Sequence, residues 1–137
     1  MNETKCQQLD CVTFTTFKET IWNVRMEHLE KWILSNWTAF TIWNAGKQGR
    51  RFFRSLKPSN RKKVVQFCDV DPKKTDKFYE PYLKSGPKES RRIPIVHFTK
   101  ASPPFVTCVK LGLTHGQFEE NLKSLNLVEG RDFYVFS

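Results

Sequence analysis

Apolar residues recur at three- and four-residue steps from Phe14 onward. They are Phe14, Phe17, Ile21, Val24, Leu29, Trp32 and Ile33, with one five-residue gap before Leu29. That period is helical, and Glu19, Glu27, Glu30 and Lys31 fill the other side, so the pattern predicts an amphipathic helix over 14–36. So apolar a stripe must pack on something, either this domain or a neighbouring one. Residues 1–13 are mostly polar and carry no such stripe; the expectation there is a disordered tail.

Beyond the helix the period changes. Residues 38–43 read as a buried strand, 44–49 as a glycine turn, and 50–56 as a helix with Phe52, Phe53 and Leu56 apolar, ended by Pro58 and Asn60. Residues 63–68 read as a second strand. Strand, glycine turn, helix, strand is half of a mononucleotide-binding unit. Residues 72–92 are rich in Lys, Pro, Ser and Gly; a short helix from Asp71-Pro72 to about Tyr79, then a loop, is the expectation. Residues 93–96 and 105–110 read as strands, and the eight residues between them are too few for a crossover helix. A helix over 115–127 follows, with Phe118, Leu122, Leu125 and Leu127 apolar and Thr114 as its N-cap. Gly130 closes a turn before a last strand at 132–136. The fold class predicted is α/β, a small trimmed Rossmann-like domain with a mostly parallel sheet over 38–137, preceded by the amphipathic helix.

Length and composition narrow the class. A chain of 137 residues is one domain that buries a core without disulfides or metal. With 39% apolar and 27% charged residues it is globular rather than disordered. Cys6, Cys11, Cys68 and Cys108 form no CxxC pair, and the last two sit in apolar runs as small hydrophobes. The first residues lack the apolar core of a signal peptide, and no run of about 18 apolar residues exists, so a cytosolic protein is expected. His28, His97 and His115 have no ligand spacing, and no Ser/His/Asp or Cys/His set is visible; no metal is expected.

The charge is uneven. Of a net +9, residues 47–92 hold fifteen Lys/Arg against five Asp/Glu, a net +10. This stretch reads either as a solvated surface or as a phosphate-contacting face. Arg61, Lys62 and Lys63, leading into the second strand, are the candidate nucleic-acid contacts.

The glycine turn is Asn44-Ala45-Gly46-Lys47-Gln48-Gly49, against the dinucleotide fingerprint G-x-G-x-x-G. Asn44 takes the first glycine position, and Asn is the next-best residue for positive φ. Gly46 would admit a phosphate, Gly49 close packing of the helix on the strand, and the helix N-terminus free N–H groups, with Lys47 and Arg50 adding charge. Asp69 lies 23 residues beyond Gly46, where such a domain places the acid that bonds a ribose hydroxyl. A bound nucleotide or nucleotide sugar and a purely structural turn both fit. Asp69-Val70-Asp71 is also a literal DxD, as in metal-dependent glycosyltransferases, but the Rossmann context already accounts for it.

Three segments together are more specific: Phe40-Thr-Ile-Trp-Asn-Ala-Gly-Lys-Gln-Gly-Arg-Arg51, Phe67-Cys-Asp-Val-Asp71 and Pro104-Phe-Val-Thr-Cys-Val-Lys110. With Leu127-Val-Glu-Gly-Arg-Asp-Phe133 they resemble the C-terminal region of the beta-1,3-N-acetylglucosaminyltransferase-like protein 1 family, also described as queuosine-tRNA galactosyltransferase. The resemblance covers roughly residues 14–137. It implies an upstream family-2 glycosyltransferase domain of GT-A type, moving galactose from UDP-galactose to queuosine in a cytosolic tRNA. The segment before Thr38 is too short for that domain, so the resemblance implies an accessory domain or fragment without the catalytic half, and carries no catalytic residue onto this chain. The alternative is a standalone module binding a nucleotide or sugar nucleotide.

Overall fold

The computed structural model describes residues 3–81, 91–109 and 116–136, with side chains from Thr16 onward. Its six strands are β1 (Phe40–Trp43), β2 (Val64–Asp69), β3 (Lys77–Tyr79), β4 (Ile93–His97), β5 (Phe105–Thr107) and β6 (Phe133–Val135). They form one sheet in the order β3-β4-β2-β1-β5-β6, parallel throughout except for β3 against β4. The fold is therefore the α/β, mostly parallel, Rossmann-like domain expected. All four residues of β1 are buried, as a central parallel strand covered on both faces requires.

Helices α1 (Glu3–His28) and α2 (Lys47–Ser55) cover one face. Met26, Leu29, Leu34, Phe52, Phe53 and Leu56 pack there on Ile42, Phe67 and Val106. The other face carries α4 (Gln117–Ser124), whose Phe118 packs on Trp43, Cys68, Phe105 and Phe133. Trp43 is the hub of that second core, stacked on Phe98 at 5.2 Å and edge-on to Phe118 at 5.5 Å. Burial pushes the Cys68 and Cys108 thiols well above their ordinary range, with Asp69 adding to the effect at Cys68. Both cysteines are free and act as core hydrophobes.

Several elements differ from expectation. α1 starts at Glu3, within the stretch expected to be a disordered tail; residues 3–13 contain no Pro or Gly to stop a helix. At its other end the helix widens into a π turn (Leu29–Ile33) and tightens into a 3-10 turn (Leu34–Asn36). α2 begins at Lys47 rather than Arg50, because Gly46 is its N-cap and Gly49 lies inside its first turn. Pro58 opens a short helix, α3 (Pro58–Arg61), since proline suits a first helical turn. The buried Glu30 carboxylate anchors α3 to the π turn after α1: its Oε2 accepts from the Lys57 N–H at 2.9 Å and from Asn60 Nδ2 at 2.7 Å.

The helix expected from Asp71-Pro72 to Tyr79 is not formed. Residues 72–74 make a turn, Asp76 takes a left-handed φ of 58°, and Lys77–Tyr79 pairs with β4 as an antiparallel edge strand. Gly116, at φ 83°, is the N-cap of α4; Thr114 and His115 lie outside the described residues, as do most of the expected 81–92 loop and the end of the 105–110 strand. Among the described residues, no helix is long and apolar enough to cross a membrane.

Much of the apolar stripe points away from the domain, while Leu29 and Ile33 turn toward it. Met26 and Leu29 are buried, whereas Phe17 and Val24 are each 59% exposed, Trp32 is 58% exposed and Ile21 is exposed. At about 100° per residue, Phe17, Ile21 and Val24 lie about 140–180° around the helix from Met26. The helix thus packs through one face and leaves an apolar one open.

Candidate functional site

The chain runs from β1 through α2 to β2 and β4 on one side of β1, then returns to β5 on the other. Such a reversal opens a crevice beyond the carboxyl ends of the diverging strands. A crevice of about 340 Å³ lies there, lined by Trp43, Asn44, Asp69, Val70, Lys74, Val109, Gln117, Phe118 and Asn121. Trp43, Val70, Val109 and Phe118 make its walls chiefly apolar. Asn44, Lys74, Gln117 and Asn121 bring polar groups to the rim.

The turn at its edge has the backbone the fingerprint requires. Asn44 takes a positive φ of 131° at the first glycine position. Its side chain fixes both flanks: Nδ2 donates to the Cys108 carbonyl at 3.0 Å, and Oδ1 accepts from the Gly46 N–H at 2.6 Å. At Gly49 a Cβ would stand 1.7 Å from the Asn44 carbonyl oxygen, so no other residue fits there without backbone movement. Gly46 has a negative φ of −88° and needs no glycine for its conformation. A Cβ there would instead meet Asn44 Oδ1 at 2.9 Å and the Lys74 ammonium at 3.1 Å. Among the described residues, nothing accepts from the N–H groups of Lys47, Gln48 or Gly49. Lys74 lines the crevice and its ammonium stands beside Gly46, the N-cap of the helix whose first three N–H groups are unmet, a setting that favours an anion.

Asp69 reaches the crevice but is turned to the protein. Its Oδ2 accepts from the Ala45 N–H at 2.9 Å and its Oδ1 from the Asp71 N–H at 3.0 Å. The carboxylate thus ties the glycine turn to the segment after β2. Asp71 is also engaged, accepting from the Lys73 N–H at 3.0 Å. Lys47 and Arg50 are exposed at the start of α2, and Arg50 Nε donates to the Gly46 carbonyl at 3.3 Å.

Of the three candidate contacts, Arg61 and Lys63 reach backbone carbonyls. Arg61 donates to the Leu56 carbonyl at 2.5 Å and Lys63 Nζ to the Leu34 carbonyl at 2.6 Å, while Lys62 is exposed. Arg91 reinforces the same corner, donating to the Val64 carbonyl at 2.6 Å, and burial lowers its pKa. Sequence reasoning missed Lys74 and the α4 residues Gln117, Phe118 and Asn121. Lys74 comes to the turn only because 72–74 folds back after β2, and no local pattern marks that return.

No protein-family model matches the chain, and no solved structure matches it.

Proposed function

We propose that the chain is the accessory domain of a glycosyltransferase resembling queuosine-tRNA galactosyltransferase, holding a catalytic GT-A domain against α1. The observation that carries this reading is the outward apolar stripe of Phe17, Ile21, Val24 and Trp32. Large apolar side chains aligned along a helix and left in water are costly, and they mark a surface made to be covered. The sequence resemblance supplies the occupant, a family-2 glycosyltransferase domain acting on tRNA. In this reading the chain transfers no galactose by itself. With UDP-galactose and queuosine-containing tRNA, the expected result is no turnover above a no-protein control, and a rise in transfer when the chain is added to a separately produced catalytic domain of that family. Turnover by the chain alone, or a catalytic domain indifferent to it, overturns the reading.

A second reading rests on the crevice: a module that binds a nucleotide or sugar nucleotide. Its support is the conjunction of an apolar slot, three unmet N–H donors and Lys74 at a topological switch point. A phosphate would lie on the α2 N-terminus and a planar ring between Val70, Val109 and Phe118. Asp69 lines the crevice, and its two oxygens, each accepting one backbone N–H, keep lone pairs for a ribose hydroxyl. A thermal-shift series with UDP-galactose, UDP, NAD and NADP tests it. Stabilisation by a uridine nucleotide that is lost in Lys74→Ala supports the module, and no shift with any of the four removes it.

A further inference from the structure

We infer that the solvent face of α2 is a phosphate-tracking surface for a folded RNA. α2 carries Lys47, Arg50, Arg51 and Arg54, all exposed, while Gly49, Phe52 and Phe53 are buried. The spacing i, i+3, i+4, i+7 puts the four cations within an arc of about 100° opposite the core, along about 10 Å of helix. Between Glu30 and Asp69 the sequence contains no Asp or Glu, and among the described residues none of the four forms a salt bridge.

The arrangement works against the isolated helix in two ways. Like charges three and four residues apart repel, and cations in the first turn oppose the helix dipole. A polyanion lying along the stripe removes both penalties at once. One member is also held in place: the Arg51 guanidinium lies over the Trp22 ring, 3.8 Å from its centroid. Trp22 is fixed in turn by donating from Nε1 to Ser55 Oγ at 3.1 Å.

The chemistry favours a nucleic-acid backbone over a lipid surface. Every apolar side chain of α2 is turned into the core, so no residue among the cations would enter a bilayer. α2 also exposes no aromatic ring on which a base would stack, so the surface follows phosphates and does not read sequence. This inference rests on the tRNA-acting reading above only for its choice of RNA. It moves the contact from Arg61 and Lys63, whose side chains serve backbone carbonyls, to the neighbouring helix.

The test is filter binding of the full chain to a tRNA transcript between 20 and 200 mM salt. Lys47→Gln/Arg54→Gln is the decisive variant, because it leaves the Arg51 and Arg50 contacts in place, and Lys100→Gln/Lys123→Gln is the control. Four contacts give a slope of log affinity on log salt of about −3, and removing two should bring it to about −1.5. Unchanged melting curves establish that the variants are folded. A slope unaltered by the α2 pair, equal loss in the control pair, or tighter binding to phosphatidylserine vesicles than to tRNA each overturns the inference. The docking of a catalytic domain on α1 is read by a different complex, so failure of one reading does not imitate failure of the other.

Discussion

Gly49 is the point where α2 presses closest on the end of β1. With a Cβ placed 1.7 Å from the Asn44 carbonyl oxygen, the obstacle is backbone, which cannot rotate away as a side chain would. Overpacking in cores costs about 1–3 kcal/mol, and a backbone clash belongs at or beyond the top of that range. Gly49→Val is therefore expected to lose about 3 kcal/mol or more in urea unfolding, whether or not a ligand binds; an unchanged midpoint would mean that the turn is not packed this way. A second residue carries a pH dependence. Arg131 and the Val128 N–H both donate to Asp132, and these bonds hold its carboxyl below its ordinary value of 3.8. A depressed native pKa stabilises the fold fully above that ordinary value and loses the contribution as pH falls through the native one. The stability difference between the natural chain and Asp132→Asn should thus shrink on acidification from pH 6 to pH 2.5. A difference constant across that range would contradict the assignment.

At the scale of elements, α1 has two faces with opposite demands. Leu29→Ala removes a buried side chain from the core and is expected to cost about 2–5 kcal/mol. Phe17→Asp and Val24→Asp change exposed positions and should leave the melting temperature nearly unchanged, or raise solubility. Equal destabilisation by all three would mean that the stripe is already buried. The stripe's period was legible in the sequence, but its direction was not. Apolar spacing reports that a face needs a partner without naming it: Leu29 of the stripe is buried on the inner face, while Met26 and Leu34, which also anchor that face, fall outside the stripe. The strand, glycine turn, helix and strand of residues 40–69 were legible because each carries its own local signal. Asn44 was readable as a positive-φ residue for the same reason. What escaped was set by contacts distant in sequence: the pairing that makes Lys77–Tyr79 a strand, the fold-back that brings Lys74 to the turn, and the carbonyls that engage Arg61 and Lys63. Asp69 is the instructive case. Its position was read from spacing, yet its two backbone acceptor bonds give it a role in holding the turn that spacing does not encode.

Across the whole molecule, three surfaces of different chemistry lie on different elements. The crevice opens where β1 and β5 diverge, the cation stripe runs along α2, and the apolar stripe runs along the outer side of α1. In the proposed reading, the uncovered apolar residues of α1 meet a partner domain and the cations of α2 face a polyanion. Isothermal titration of the chain into a separately produced family-2 glycosyltransferase domain of the queuosine-tRNA galactosyltransferase family measures the proposed attachment directly. The expected result is a one-to-one complex that Phe17→Asp/Val24→Asp abolishes while leaving the melting temperature of the chain unchanged. No heat of binding, or binding that survives the double substitution, would contradict it.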